Sequence, residues 1–201
     1  GSRLPAGPDL YFQLMEYNTW AIKKCLQQGE AEVTSPHREE AVESLKIGGK
    51  FLLMDHNGRV VTEKDLQGKY QIILFGYTFC PDVCPTSLQA LTLALQKLGP
   101  KADKIQPYFV TVDPQRDTVK VMQNYVGYFH NGLIGLTGSQ SMIERVAKQF
   151  HVKYEKVLEP GMEPDMYIMD HTASAYLMAP DGSFITKFAY GISPQQLVEK
   201  I

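Results

Sequence analysis

The feature that most constrains the fold is a continuous apolar run at 71–77, which is followed at once by a turn and a helical segment. A strand without alternating polar residues is typical of a sheet that is covered on both faces. Strands and helices alternate downstream, so we predict an α/β fold with a central mixed β-sheet flanked by helices. The predicted strands are 105–112, 133–136, 152–157, 172–179 and 184–189, and the predicted helices are 84–98, 118–128, 141–150 and a last one that Ser193 caps.

Turn signals mark both ends of this domain. Asn57-Gly58 joins two short apolar segments and predicts an N-terminal β-hairpin. A closing hairpin is predicted at Asp181-Gly182, and the segment 158–171 before it is predicted to be a loop. This order of elements is that of a thioredoxin-like domain, which we place at 48–201.

Residues 1–47 form a separate N-terminal part in this prediction. Gly1-Ser2 resembles a tag scar left by cloning, Leu10–Gln28 has the apolar spacing of an extra helix, and 30–47 has the polar composition of a linker. Cys25 lies in the predicted helix, has no neighbouring cysteine and is interpreted as a spare thiol. No apolar run reaches the length of about 18 residues that spans a bilayer, so we expect any membrane anchor to be an N-terminal segment that is missing here.

The composition excludes two classes of protein. The formal net charge is −2 and there is no basic stripe, which argues against nucleic-acid binding. Three cysteines are too few for a disulfide scaffold, but they allow one reactive pair and one spare thiol. We therefore expect the cysteine pair to carry out the chemistry of the chain.

The cysteine pair follows the buried strand directly. Cys80 and Cys84 are four residues apart at the start of a predicted helix, where backbone amides stabilise a thiolate. Three residues separate them, instead of the two of common redox motifs, so a metal ion fits between the sulfurs as readily as a disulfide closes them. The pair is interpreted as a metal site, a redox-active dithiol, or a site that switches between the two.

Four sequence blocks occur in a fixed order along the domain: Gly76–Pro85 around the cysteines, Asp113–Thr118, Gly135–Gly138 and Asp170–Thr172. In these blocks the chain resembles the Sco/SenC family, thioredoxin-like copper proteins that take part in the maturation of cytochrome c oxidase. The resemblance runs from Gly48 to the C-terminus.

The resemblance implies that copper is bound by Cys80, Cys84 and His171. His171 ends the predicted loop at a position that lies opposite the dithiol in thioredoxin-like folds, so the topology also directs it toward the cysteines. Two thiolates and one imidazole suit Cu(I) and can hold Cu(II), whereas zinc generally takes a fourth ligand. The same loop carries three methionines, Met162, Met166 and Met169. A further hypothesis is that their soft thioether sulfurs help to bind copper; the alternatives are that they fill gaps or contact a partner.

Several side chains near the predicted ligands are candidates for supporting roles. Asp170 is predicted to orient the ring of His171 or to add charge, and Asp82 to tune the charge of the cysteines. Asp113 is expected at the rim of the pocket. Arg116 is expected to anchor its loop by an ion pair with Asp117 or Asp113.

Three functions are compatible with these residues. The first is a metallochaperone that delivers copper to, or prepares, the dinuclear copper centre of cytochrome c oxidase subunit II or a related acceptor. The alternatives are a thiol–disulfide oxidoreductase that acts on the acceptor's cysteines, through Cys80 and Cys84, and a copper or redox sensor whose output is contact with another copper or thiol-redox protein. The resemblance implies the periplasmic face of the bacterial inner membrane, with the mitochondrial intermembrane space as the alternative.

Overall fold

The computed structural model describes residues 47–158 and 166–201. The predicted helix Leu10–Gln28, with Cys25, lies outside the described residues, and so does Met162. No helix in the two described ranges is both long and apolar enough to cross a membrane.

The described residues form nine strands, four α-helices and one 3-10 segment. The helices are α1 Val83–Leu98, α2 Val119–Val126, α3 Gln140–Gln149 and α4 Pro194–Lys200, and the 3-10 segment is Gly99–Lys104. The strands are β1 Leu52–Asp55, β2 Val60–Thr62, β3 Tyr70–Gly76, β4 Ile105–Thr111, β5 Ile134–Thr137, β6 Tyr154–Val157, β7 Ile168–His171, β8 Ser174–Met178 and β9 Phe184–Ala189.

Seven of these strands form one mixed sheet. Its order is β2-β1-β5-β4-β3-β8-β9, with β3, β4 and β5 parallel and the outer strands antiparallel to their neighbours. The sheet and its helices confirm the predicted thioredoxin-like α/β fold. The N-terminal hairpin of β1 and β2 is confirmed as well, and so is the role of Ser193 as the N-cap of α4.

Strand β3 lies inside the sheet and is covered on both faces. Ile72 and Leu74 line an apolar cavity of about 260 Å³ together with Leu91 of α1. On the other face, the ring of Phe75 packs at 5.4 Å from that of Phe150. Since the strand is buried in this way, the turn after its carboxyl end is fixed in position, and this turn carries the cysteines.

The prediction of an unbroken loop over 158–171 is wrong at its C-terminal end. Residues 168–171 form β7, which pairs antiparallel with β6 so that His171 lies opposite Tyr154. The sequence Ile-Met-Asp-His has no alternation of apolar and polar residues, and its extended form depends on the partner strand. The next strand consequently begins at Ser174, two residues later than predicted.

Candidate metal centre

The two cysteines are held by the turn that joins β3 to α1. Cys84 lies in the first turn of α1, whereas Cys80 lies before the helix, because α1 begins at Val83. The backbone N–H of Cys84 donates to Sγ of Cys80 over 3.4 Å. A free amide at the helix start therefore does point at a sulfur, as the sequence predicts, but this sulfur belongs to Cys80 in the turn before the helix.

Gly76, the last residue of β3, makes room for the sulfur of Cys84. A Cβ atom at this position would lie 2.6 Å from Sγ of Cys84 and 2.8 Å from the ring of Phe109. Cys84 is only 4% exposed as a result of this close packing. The absence of a side chain at position 76 is thus a condition for the position of Cys84.

His171 reaches the pair from the end of β7. Its Nε2 lies 3.4 Å from Sγ of Cys84, and its Nδ1 lies 3.2 Å from the carbonyl oxygen of Thr172. A carbonyl only accepts, so Nδ1 carries the proton and Nε2 presents a lone pair to the sulfurs. The ring of Tyr77 stands edge-on to the imidazole, with 5.9 Å between the ring centres.

The predicted orienting role of Asp170 is not supported, because the carbonyl of Thr172 takes that place. Asp170 is exposed and lies opposite Glu155 in the β6–β7 pair. Because neighbouring residues of a strand point to opposite sides, its side chain points away from that of His171. Asp82 caps α1 without a side-chain bond to the helix amides, and its carboxylate accepts from Thr86. Its link to Cys80 is through its backbone N–H.

The structure brings the three predicted ligands together. The two sulfurs and a ring nitrogen of His171 all lie within 4.8 Å of one another, and they are the one group of this kind among the described residues. Donors at about 2.0–2.3 Å from a common trigonal ion are separated by about 3.5–4 Å. A shift of less than about 1 Å would therefore close the three donors around a single ion.

The two thiols have very different affinities for protons. The hydrogen bond from the Cys84 thiol is the largest influence on Cys80, and with backbone N–H donors it lowers the pKa of Cys80 to about 3, against the opposing effect of burial. The same hydrogen bond, together with burial, raises the pKa of Cys84 far above its ordinary value. In the metal-free protein Cys80 is thus the thiolate and Cys84 the protonated partner.

A buried carboxylate, Asp117, fixes the turn that carries Cys80. It is fully buried and accepts from the backbone N–H of Thr78 at 3.0 Å, the Thr78 hydroxyl at 2.6 Å and the Thr111 hydroxyl at 2.6 Å. Burial raises the pKa of Asp117, and the bonds from Thr111 and Thr78 oppose that effect. Sequence reasoning missed this role, although Asp117 belongs to the block Asp113–Thr118.

The ion pair predicted for Arg116 is formed with Asp113, whose carboxylate lies 2.5 Å from Nε. Asp113 is 3% exposed and also accepts from the hydroxyl of Tyr167 at 2.8 Å, so it lies beneath the rim and is covered by these two side chains. Two of the three loop methionines lie within the described residues: Met169 packs against the core and Met166 is 63% exposed. Gap filling therefore describes Met169, and of these two side chains it is Met166 that is exposed enough to meet a ligand or partner.

Comparison with known proteins identifies the family of this chain. The SCO1/SenC family profile matches residues 39–201. The chain belongs to the SCO1/SenC family. A mitochondrial SCO2 homolog from Bos taurus is 40% identical over 167 residues, which cover 82% of this chain and 62% of the bovine protein. The chain thus spans less than two thirds of the length of that relative.

Solved structures of other family members share the fold. ScoI from Arabidopsis thaliana, determined with copper bound, is 41% identical, covers 77% of this chain and 94% of its own, and has a TM-score of 0.72. ScoI from Bradyrhizobium japonicum, also with copper bound, is 44% identical, with coverages of 77% and 96% and a TM-score of 0.70. The thioredoxin-like fold is therefore common to this family member and both relatives.

The space at Gly76 gives a first prediction. Gly76→Ala should lower the free energy of unfolding by about 1–3 kcal/mol and displace Cys84, because neither the Phe109 ring nor the helix can yield freely. Urea unfolding and the rate of alkylation of Cys84 measure the two effects. Gly127→Ala is the matched control, since Gly127 has helical φ (−62°) and the added Cβ would meet nothing closer than 3.4 Å. Equal stability of the two variants would contradict this account.

The asymmetry of the thiols gives a second prediction. In metal-free, reduced protein carrying Cys25→Ser, iodoacetamide should modify Cys80 before Cys84, at a rate that changes little between about pH 6 and 8, because the thiolate is already complete above its pKa. Cys84→Ala removes the donor thiol and raises the pKa of Cys80, so its rate at pH 6 should fall at least about tenfold. Mass spectrometry of peptides at each pH provides the rates. A parent rate that climbs about tenfold per pH unit in this range would mean an ordinary thiol.

Proposed function

We propose that this protein is a copper metallochaperone that holds one copper ion between Cys80, Cys84 and His171. The observation that carries the proposal is the 3.4 Å approach of Nε2 of His171 to Sγ of Cys84, within a group of three donors. The copper-bound states of the Arabidopsis and Bradyrhizobium relatives support the choice of metal. A soft donor set of two sulfurs and one imidazole supports it independently.

Delivery, as distinct from permanent storage, is favoured by the exposure of one side of the site. Cys80 is only half-buried, and Phe79 beside it is 57% exposed. An acceptor thiolate can therefore approach the ion from the side of Cys80 and replace it as a ligand, while Cys84 and His171 still hold the ion. Such stepwise exchange never leaves a soft ion without donors. In this protein a three-coordinate site leaves a position open for the incoming ligand.

The acceptor we propose is the dinuclear copper centre of cytochrome c oxidase subunit II, or a related copper protein, and membership of the SCO1/SenC family supports it. Two compartments are compatible with this acceptor. The mitochondrial name of the bovine relative favours the intermembrane space, and the bacterial origin of the Bradyrhizobium relative favours the periplasm.

A second candidate function, thiol–disulfide exchange, is favoured by the asymmetry of the two thiols. The Cys80 thiolate would attack a disulfide of the acceptor, form a mixed disulfide and release one acceptor thiolate. Cys84 would then give up its proton and attack the sulfur of Cys80, which releases the second acceptor thiolate and leaves a Cys80–Cys84 disulfide. Two electrons pass to the acceptor, which becomes a dithiol ready for copper.

The two functions differ in their need for the imidazole. His171→Ala should weaken Cu(I) binding by about 100-fold or more, because one of three donors is lost, while exchange with a small disulfide stays within about threefold of the parent. Competition with a chromophoric Cu(I) chelator gives the affinity, and stopped-flow mixing gives the exchange rate.

His130→Asn is the matched control for this experiment. His130 precedes β5 and so lies at the sheet edge opposite the cysteine turn, and asparagine can replace its Nδ1 as acceptor of the Gly132 N–H. This variant should bind Cu(I) like the parent. Unchanged Cu(I) affinity in His171→Ala, with slower exchange, would reject the chaperone in favour of the oxidoreductase. Loss of neither property would reject any role of His171, and a sensor function would then have to use the cysteines alone.

A further inference from the structure

Tyr167 is fixed by several directed contacts just before the strand that carries His171. Its hydroxyl donates to Oδ1 of Asp113 over 2.8 Å, and its backbone carbonyl accepts from Nη1 of Arg116 over 2.8 Å. The guanidinium carbon of Arg116 lies 3.6 Å from the centre of its ring. Backbone, ring and hydroxyl of one residue are thus all held by the loop that follows β4.

The other face of the Tyr167 ring is covered by Lys156, whose Nζ lies 3.7 Å from the ring centre. Two cations at nearly equal distances from one ring centre must occupy opposite faces, so the ring is enclosed between Lys156 and Arg116. Tyr167 is only 6% exposed in this position. Cations favour the face of an aromatic ring, and each contact of this kind adds to the hold on the side chain.

The hydroxyl of Tyr167 is a permanent donor. Burial and its bond to the Asp113 carboxylate raise the pKa of Tyr167 to about 12. The Asp113 carboxylate is itself held by Nε of Arg116, and the backbone N–H of Asp113 donates to the hydroxyl of Thr111 at the end of β4. The contacts of Tyr167 therefore lead directly to the central sheet.

The strand that follows needs such an anchor. Among the described residues β7 pairs only with β6, in a two-stranded sheet separate from the main one. Two-stranded sheets are marginally stable on their own. His171 follows Tyr167 by four residues, about 13 Å along an extended chain, so the position of Tyr167 limits where the imidazole can lie.

We infer that Tyr167 is a positioning residue that sets the place of the His171 imidazole relative to the two sulfurs. Arg116 connects the segment of Tyr167 to the cysteine turn, because its guanidinium carbon also lies 4.8 Å from the centre of the Phe79 ring, and Phe79 is the neighbour of Cys80. One cation thus touches both the segment before His171 and the cysteine turn. This inference rests on the proposed copper site, and Tyr167 acts on the metal only through His171.

A double-mutant cycle tests this inference. Tyr167→Leu should weaken Cu(I) binding about 10- to 100-fold, the range for residues that orient metal ligands. In the His171→Ala background the same change should have almost no further effect, because there is no imidazole left to position. Cu(I) affinities from chelator competition on four proteins complete the cycle. The Cu(II) spectrum of Tyr167→Leu should also lose its nitrogen coupling, while the rate of Cys80 alkylation stays that of the parent.

Two further variants serve as controls in this experiment. Tyr167→Phe keeps the ring and the backbone carbonyl and loses only the bond to Asp113, so it should weaken binding about fivefold and can replace Tyr167→Leu in the cycle if the latter does not fold. Tyr128→Leu, at a tyrosine that is 82% exposed, should leave the affinity unchanged.

The outcomes separate the inference from the function on which it rests. Equal losses in the parent and His171→Ala backgrounds would overturn it, because Tyr167 would then act on the fold or the cysteines. Parent-like Cu(I) binding by Tyr167→Leu would overturn it as well. A parent protein that fails to bind Cu(I) would instead reject the proposed copper function itself.

Discussion

The approach of Sγ of Cys84 to Nε2 of His171 joins two parts of the chain that are 87 residues apart in sequence, and the chemistry of the site depends on it. Each side of the contact is prepared by a backbone feature. Gly76 leaves the space into which the sulfur fits, and the Thr172 carbonyl fixes the proton on Nδ1 so that Nε2 is a free acceptor. Without the first feature the sulfur could not occupy its position, and without the second the ring would not present a lone pair to it.

The turn that carries Cys80 is held by polar groups whose burial would be unfavourable if they were not paired. Asp117 has no exposure to solvent, and an ionised carboxylate in that position is costly unless several donors surround it. Thr78 and Thr111 supply three donors, so the carboxylate joins the cysteine turn to the end of β4. A network satisfied in this way is rigid, because moving any member leaves a buried group without a partner.

The sequence carries much of this fold and part of the site. The apolar strand, the hairpin turns and the spacing of Cys80 and Cys84 report local preferences, and local preferences are visible in a single chain. The contacts between distant segments are not. Strand β7 has no pattern of its own and forms only against β6, and the orienting contact of His171 comes from the Thr172 carbonyl, which every residue possesses and no side-chain pattern can reveal. For the same reason sequence reasoning expects the orienting role at Asp170, the neighbouring carboxylate, where the structure does not support it.

The difference between the two sulfurs connects the two chemistries that the site can perform. Metal binding and disulfide formation both consume Cys80 and Cys84, so they exclude each other, whereas His171 takes part only in the first. The proton that the hydrogen bond and burial keep on Cys84 must leave before that sulfur can bind an ion or close a disulfide, and either event therefore starts at Cys80. Since Cys80 is also the more exposed sulfur, the same atom meets an incoming ion, an acceptor thiolate or an acceptor disulfide. The order of events at this centre is thus set by the burial of one sulfur behind the other.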